Sequence, residues 1–201
     1  MVPAELPPKP ARPREECTLE KVKQALLAVG PALEQAEAVG IIGSLLREDF
    51  NERSDIDLLI VMDDETYRQR PAVEWRRHWR SVFGPALAKY RRDLSCILYP
   101  VISLRKVSNW YVLVVASDAV LVHDRGNVAP LFQRIIDAAH NAGLVKIKRG
   151  VHTVWRSATP LKFGQLIKVE VEDDDEPRGS TQPIAGCGVG ASESTQPVRP
   201  E

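Results

Sequence analysis

The stretch Gly43-Ser44-Leu45-Leu46-Arg47-Glu48-Asp49-Phe50-Asn51-Glu52-Arg53-Ser54-Asp55-Ile56-Asp57 decides the fold of this chain. It lies between two apolar segments, Ala38 to Ile42 before it and Leu58 to Met62 after it. Short apolar runs bounded by turn residues are typical of buried strands, so the stretch is expected to connect two of them. The sequence therefore predicts a Gly-Ser turn and an Asp-x-Asp pair at neighbouring strand ends.

The Asp-x-Asp pair predicts a metal site. Alternate side chains of a strand share one face, so Asp55 and Asp57 should project from one side while Ile56 and Leu58 point into the core. Two carboxylates held so close repel each other unless a cation lies between them. A hard divalent ion such as Mg²⁺ satisfies this requirement.

The Gly-Ser turn predicts a phosphate site beside the metal site. Gly43 has no Cβ and lets the backbone approach a ligand closely. Ser44 is expected to cap a short following helix, whose free N–H groups would bind phosphate oxygens. Together the two sites indicate a nucleotide ligand.

These residues resemble the signature of the DNA polymerase β superfamily of nucleotidyltransferases, in which Gly-Ser, a spacer of about ten residues and Asp-x-Asp follow in this order. The similarity is closest to the small prokaryotic branch called minimal nucleotidyltransferases and covers residues 18–170. That branch has a third carboxylate on a later strand, where Asp93 stands. Arg47 is kept, but Leu46 replaces a small residue and Glu48 replaces a glycine.

The resemblance implies an α/β fold, a small mixed and twisted sheet flanked by helices, with the site at the edge where the first two strands end. It also implies transfer of a nucleoside monophosphate, AMP from ATP being the expected case, to a hydroxyl acceptor with two Mg²⁺ ions or Mn²⁺ in their place. Asp93 would bind the second metal and help to deprotonate the acceptor. The implied catalytic and metal-binding residues are Asp55, Asp57 and Asp93, and the implied nucleotide-binding residues are Gly43, Ser44 and Arg47.

The acceptor is left open by the sequence. Minimal nucleotidyltransferases often pair with a helical HEPN-type ribonuclease toxin as its antitoxin, so the resemblance favours a protein acceptor. Two alternatives stay open: a nucleotidyltransferase that modifies a small molecule of the aminoglycoside type, and a catalytically silent module that neutralises a partner by contact. The Glu48 departure keeps the silent module in consideration.

Composition indicates one domain between two polar ends. The chain has 201 residues, of which 44% are hydrophobic and 27% charged. Residues 1–16 and 172–201 are rich in proline or in acidic and small residues and are predicted to be disordered, which leaves residues 17–171 as the domain. No apolar run approaches the roughly 18 residues that a membrane span needs, so a cytoplasmic location is expected.

Cysteine and histidine do not indicate a metal site or a disulfide framework. Cys17, Cys96 and Cys187 are widely separated, and the four histidines lie in separate predicted elements without ligand spacing. Cys96 is expected in a buried strand.

The predicted elements follow hydrophobic periodicity and breaker residues. They are a helix capped by Thr18 and ended by Gly30-Pro31, a turn over Ala32 to Ala36, a helix with Trp75 and Trp79 in the core that ends before Gly84-Pro85, a strand from Asp93 to Tyr99, a helix from Leu104 to Ser117, a strand from Ala119 to His123 and a helix from Ala129 to Asn141.

Two further features concern partners. The arginines around the Trp75 helix could bind nucleic acid or an acidic partner, but a solvated helix face is favoured. The segment from Val151 to Val169, with Trp155 and Phe163, resembles the Trp-containing C-terminal tail of some minimal nucleotidyltransferases and is expected to cover the domain or a partner.

Overall fold

The computed structural model describes residues 15–171, and the rest of the two segments predicted to be disordered lies outside this range. Its helices are α1 (Leu19–Leu27), α2 (Asp64–Arg68), α3 (Ala72–Leu87), α4 (Val101–Arg105), α5 (Trp110–Asp118) and α6 (Val128–Asn141). Its strands are β1 (Ala38–Ile42), β2 (Ile56–Met62), β3 (Leu94–Pro100), β4 (Val120–Asp124), β5 (Leu144–Arg149) and β6 (His152–Ser157). Short 3₁₀ helices occupy Gly30–Gln35, Gly43–Leu46 and Ala88–Tyr90.

The central sheet is mixed, which confirms the predicted fold class. Its strand order is β3-β2-β1-β4. β1 runs antiparallel to both β2 and β4, whereas β2 and β3 run parallel. A parallel pair needs a crossover connection, and α2 and α3 provide it. The end of β1 and the beginnings of β2 and β3 therefore meet at one edge of the sheet.

Both faces of the sheet are covered by helices, because β1 and β2 are apolar on both sides. One core cluster joins alternate residues of these strands, such as Ile41 and Leu58, to α1 and α3. The other cluster joins the intervening residues, such as Leu59, to α5 and α6. Asp57 has the same strand parity as Leu59, so it lies on the α5 face of the sheet.

The first helices follow the predicted pattern with one difference. The Thr18 hydroxyl accepts a hydrogen bond from Lys21 N at 3.4 Å and caps α1 as expected. Trp75 and Trp79 are buried, which confirms their predicted place in the core. The predicted end of α3 before Gly84-Pro85 is wrong, since the helix continues to Leu87. Burial of Leu87 on the same face as Trp79 holds the last turn in place despite the missing proline N–H.

The predicted helix from Leu104 to Ser117 is also wrong, because the chain forms two helices there. α4 ends at Arg105, and Val107 takes a left-handed φ of 43°. The Asn109 side chain then accepts hydrogen bonds from Tyr111 N at 3.0 Å and Val112 N at 3.3 Å and begins α5. The break places Trp110 and Tyr111 in the first turn of a new helix.

A β-hairpin that the sequence analysis missed follows α6. β5 and β6 pair antiparallel around the two-residue turn Gly150-Val151, in which Gly150 has a φ of 59°. A hairpin turn with positive φ at its first central residue favours glycine there. The alternation of apolar and polar residues in β5 was the available signal.

The hairpin changes the interpretation of the C-terminal segment. Trp155 Nε1 donates to Leu113 O at 3.2 Å, so Trp155 does cover the domain as expected. Phe163 and Leu166 have relative exposures of 109% and 92%, so this part of the segment does not cover the domain, and its expected contact with a partner stays a prediction.

The arginines of α3 are exposed, as a solvated face requires, and Cys96 is buried in β3. Burial raises the pKa of the Cys96 thiol to about 11, so it stays protonated. Among residues 15–171, no helix combines the length and apolar composition needed to cross a membrane.

The α3 core contact makes a stability prediction. Trp79 is fully buried and stacks on Phe83 with ring centroids 5.5 Å apart, whereas Trp110 is 70% exposed. Trp79→Ala should lower the free energy of unfolding by about 3 to 5 kcal/mol because it removes a large core side chain. Trp110→Ala, the matched control, should change it little. Urea unfolding measures both, and equal losses would contradict this packing.

Candidate active site

Gly43 and Asp57 are in direct contact at the edge of the sheet. β1 ends at Ile42, which pairs with Asp57 across the antiparallel ladder. Gly43 follows with a φ of 81°, a left-handed conformation that favours glycine. A Cβ atom on Gly43 would lie 3.1 Å from Asp57 Cγ and closer still to Oδ2. The turn therefore touches the second carboxylate of the Asp-x-Asp pair as well as being open to a ligand.

The predicted capping role of Ser44 is wrong. The 3₁₀ helix Gly43–Leu46 begins directly after β1, with Ile42 at the N-cap position and no side-chain cap. The positive φ of Gly43 turns the chain into the helix two residues earlier than expected. Ser44 O accepts a hydrogen bond from Arg47 N at 2.9 Å and closes the short turn.

The three predicted carboxylates occupy neighbouring strand starts but differ in burial. Asp57 lies within β2 and is half-buried, while Asp55 precedes the strand and is exposed. Asp93 precedes β3 and is exposed, and its carbonyl accepts a hydrogen bond from Ile56 N at 2.9 Å. The parallel register of Ile56 with Leu94 then sets Asp55 beside Asp93 and Asp57 beside Ser95.

Asp57 has a perturbed titration. Burial raises the pKa of its carboxyl above the ordinary value, and the Asp55 charge raises it further. A hydrogen bond with Ser95 and the charge of Arg47 act in the opposite direction but do not cancel the rise. The protein neighbours of Asp57 thus do not fully offset the cost of burying its negative charge. A bound cation would stabilise the ionised carboxylate.

This donor set fits a magnesium-type ion. Within residues 15–171, no three His, Cys, Asp or Glu side chains form a group that could hold a metal by themselves. Mg²⁺ is usually bound through one or two carboxylates, with water and substrate phosphates completing the shell. The paired carboxylates of Asp57 and Asp55 meet that description, and the oxygen-only chemistry suits a hard cation.

Asp93 opens into a small cavity on the other side of Asp55. The cavity has a volume of about 560 Å³ and is lined by Asp55, Arg80, Gly84, Asp93, Leu94 and Ser95. Arg80 Nε donates to Leu94 O at 3.1 Å, which brings a guanidinium to the start of β3. The small cavity therefore combines two carboxylates with one cation.

The loop after Gly43 carries acidic residues, which do not favour the binding of phosphate. Arg47 forms a two-pronged pair with Asp49, Nε to Oδ1 at 3.0 Å and Nη2 to Oδ2 at 3.2 Å. This hydrogen bonding from Arg47 lowers the pKa of Asp49, and the charge of His152 adds a minor lowering. Glu48 is exposed between them. Arg47, predicted to bind nucleotide, thus already has a carboxylate partner.

A main cleft lies between the Gly43 loop, α5 and the β5–β6 hairpin. Its volume is about 920 Å³, within the range of small-molecule sites. Its walls include Gly43, Arg47 and Glu48 from the loop, Trp110 and Tyr111 from α5, and Lys148, His152 and Thr153 from the hairpin. Burial, and then the charge of Asp57, raise the pKa of Tyr111, so Tyr111 links the cleft to the carboxylates.

Sequence reasoning missed several residues that the fold brings to the site. Ser95 hydrogen-bonds with Asp57, Arg80 lines the small cavity, and Tyr111 and Lys148 line the main cleft. Ser95 was open to prediction, because it lies two residues after Asp93 on one strand face. Tyr111 and Lys148 carry no local motif and reach the site only through tertiary packing.

Comparison with known proteins identifies the class of this domain. Residues 19–117 match the family model described as nucleotidyltransferase domain. The match confirms the nucleotidyltransferase resemblance found in the sequence and is consistent with the minimal branch. Such a domain implies a nucleoside triphosphate substrate and transfer of its nucleoside monophosphate, and the family generally uses divalent metal ions.

A solved structure from Sulfolobus solfataricus, of a protein itself only proposed to be a nucleotidyltransferase, is also similar. It is 22% identical, with 54% of this chain and 81% of that chain covered, and its TM-score is 0.35. No curated protein is significantly similar to the chain.

The Gly43 contact predicts a specific loss of stability. Gly43→Ala should cost more than Gly143→Ala, because both glycines have positive φ but only Gly43 has a carboxylate against its Cα. The left-handed conformation alone costs roughly 1–2 kcal/mol, which both variants share. Urea unfolding of the two variants measures the difference. Equal losses would show that Asp57 moves aside freely.

The raised pKa of Asp57 predicts a pH-dependent gain from its removal. With the folded pKa above the unfolded one, stability falls as pH rises from about 4 through the folded pKa. Asp57→Asn lacks this penalty. In protein freed of divalent ions, it should melt at a higher temperature than the parent at pH 7, and the gap should close on acidification below the unfolded pKa.

An exposed aspartate provides the control for this pH experiment. Asp137→Asn alters a carboxylate on the outer face of α6 that accepts a hydrogen bond from Gln133 at 2.9 Å. It should show no comparable gain at pH 7. An Asp57→Asn variant that melts no higher than the parent at neutral pH would contradict the perturbed titration.

Proposed function

We propose that this domain transfers a nucleoside monophosphate, with AMP from ATP as the first candidate, to a hydroxyl acceptor in a reaction that depends on a divalent metal. The observation that carries the proposal is the contact of the Gly43 turn with the half-buried Asp57 carboxylate at the edge of the main cleft. It brings a close-approach backbone turn and a cation-binding carboxylate to one point, as a metal–triphosphate complex requires.

Each residue of the site then has a chemical role in the proposal. Asp57 and Asp55 hold Mg²⁺, and Gly43 with the Ser44 hydroxyl contacts the β- and γ-phosphates. When bound, the metal offsets negative charge on the triphosphate and on the departing pyrophosphate. Asp93 holds the acceptor hydroxyl in the small cavity, accepts its proton and contributes to the second metal site. The acceptor oxygen attacks the α-phosphorus, whose bond to the bridging oxygen breaks, and pyrophosphate leaves.

A protein acceptor is the first choice. Leu161, Phe163 and Leu166 expose apolar side chains after the hairpin, and exposed apolar surface of this kind is typical of partner contacts. Together with the resemblance to minimal nucleotidyltransferases, this supports a helical HEPN-type toxin as the partner and an antitoxin role for the chain. The modified hydroxyl would belong to that partner.

Two other functions have an observation in their favour. The small cavity of about 560 Å³ has room for a small-molecule acceptor of the aminoglycoside type. Glu48, exposed in the main cleft where relatives have glycine, would repel phosphates and supports a silent module that acts by contact. Transfer of label from the α-phosphate of ATP separates both enzymes from the silent module.

The proposal predicts different losses for two carboxylates. ATP should bind only with Mg²⁺ or Mn²⁺ present, because the carboxylates otherwise repel the triphosphate. Asp57→Asn should lose nucleotide binding and transfer together. Asp93→Asn should keep much of the binding but lose at least about a hundredfold in transfer, the scale of acid–base assistance. Calorimetry with and without EDTA measures binding, and α-labelled ATP with the co-expressed neighbouring gene product measures transfer.

The control for this experiment is Asp137→Asn, which should behave as the parent in both assays. Equal ATP affinity with and without EDTA would exclude the metal–nucleotide site. Transfer by Asp93→Asn at the parent rate would place the third carboxylate elsewhere, and a free monomer after co-expression would favour the small-molecule acceptor.

A further inference from the structure

Where the Gly43 loop lines the main cleft, its one cation, Arg47, is already paired. Arg47 is held by both oxygens of Asp49, and Glu48 adds a second carboxylate that faces the main cleft. Residues 47–49 together carry one positive and two negative charges. A triphosphate that approached Gly43 from the cleft would meet net repulsion from this loop, so positive charge must come from another wall.

The β5–β6 hairpin supplies that wall. Its inner face is anchored on α5 at the cross-strand pair Lys146 and Trp155. Lys146 Nζ binds Asp118 Oδ1 at 2.6 Å and Ser117 O at 3.1 Å, and Trp155 Nε1 binds Leu113 O. These contacts determine which face of the hairpin is turned toward the domain.

Lys148 lies on the same inner face, two cross-strand pairs nearer the turn. Side chains alternate along a strand, so Lys148 shares its face with Lys146, and its partner Thr153 shares the face of Trp155. Both line the main cleft together with Gly43 and Glu48. Lys148 is exposed and forms no ion pair within residues 15–171. Its positive charge therefore lies at the cleft and is not paired with a carboxylate of residues 15–171.

The hairpin turn also approaches the acidic loop. His152, next to Thr153, lines the cleft and is close enough to Asp49 for their charges to interact. The cleft therefore has an acidic wall at Glu48 and a basic wall at Lys148 of the hairpin. A ligand with several negative charges fits between them only when the basic wall takes part.

We propose that Lys148, assisted by the Thr153 hydroxyl, binds the phosphates of the nucleoside triphosphate from across the main cleft. This inference rests on the proposed function and adds to it a cation from outside the Gly-Ser and Asp-x-Asp motifs. It makes the hairpin part of the nucleotide site. The ammonium would donate to phosphate oxygens beside Gly43, and the apolar wall at Trp110 would be left for the nucleoside.

Lys148→Gln tests the proposal, with Arg149→Gln as the matched control. Arg149 is the adjacent residue and is also exposed, but it does not line the cleft. Calorimetry on the full chain with Mg²⁺ should show ATP affinity reduced about tenfold or more in Lys148→Gln, since a charge-assisted hydrogen bond is lost. Arg149→Gln should bind as the parent does.

A ligand series distinguishes phosphate binding from a general effect on the cleft. The loss in Lys148→Gln should shrink from ATP through ADP to AMP and vanish for adenosine. Lys148→Arg should retain most of the ATP affinity because it keeps the positive charge. ATP binding by Lys148→Arg would also show that a substitution at this position leaves the site folded. The melting temperature of each variant should match that of the parent.

Three results would overturn the inference. Lys148→Gln that binds MgATP as the parent does would remove Lys148 from the site while leaving the proposed function intact. A loss of equal size for adenosine would show that Lys148 shapes the cleft and does not contact phosphate. Failure of the parent to bind MgATP at all would refute the proposed function, and this inference with it.

Discussion

The carboxylate of Asp57 rests against the Cα of Gly43, and this close approach constrains the structure around it. It requires that residue 43 carry no side chain, and the left-handed φ of 81° makes the same demand independently. The contact follows from the antiparallel pairing of Ile42 with Asp57. A shift of one residue in that register would turn Asp57 toward α3 and separate the turn from the carboxylate.

The electrostatics of the site follow from the same contact. Asp57 lies against Gly43 on the α5 side of the sheet and is half-buried, and burial raises its pKa while the Asp55 charge adds to the rise. Groups with perturbed pKa values concentrate at functional sites because chemistry needs charge that the protein alone does not neutralise. The loop beside it also carries negative charge that is not neutralised, since Arg47 is paired with Asp49 and Glu48 is exposed. In the function and the inference proposed above, a metal ion and Lys148 of the hairpin supply the positive charge that this site lacks.

Two cavities, the main cleft and the small cavity, open on different sides of the paired carboxylates. The main cleft meets Gly43 on the α5 side, and the small cavity meets Asp55 and Asp93 at the start of β3. Asp55 and Asp57 lie between them, where the proposed reaction needs the nucleotidyl group to be held during its transfer. The break before α5 is essential to this arrangement, because the Asn109 cap restarts the helix with Trp110 and Tyr111 at the cleft.

The sequence by itself determined the elements whose signals are local. Apolar runs between turn residues predicted β1 and β2 correctly, and the Thr18 cap and the Trp75–Trp79 spacing predicted α1 and the core face of α3. The Gly-Ser and Asp-x-Asp spacing predicted the class of the domain, which the family match confirms. Local signals failed where packing overrode them, as when α3 continued through Gly84-Pro85 because Leu87 is buried.

Only the tertiary structure decided how the site is assembled. Ser95 lies beside Asp57 through the parallel register of β2 and β3, and Tyr111 lines the main cleft because the chain breaks at Val107. Lys148 faces the cleft because Trp155 and Lys146 anchor the hairpin on α5. None of these residues has a motif, since their positions depend on contacts between segments far apart in the chain. A sequence reports what neighbouring residues can do, whereas the charge balance of this cleft depends on which distant strands fold beside it.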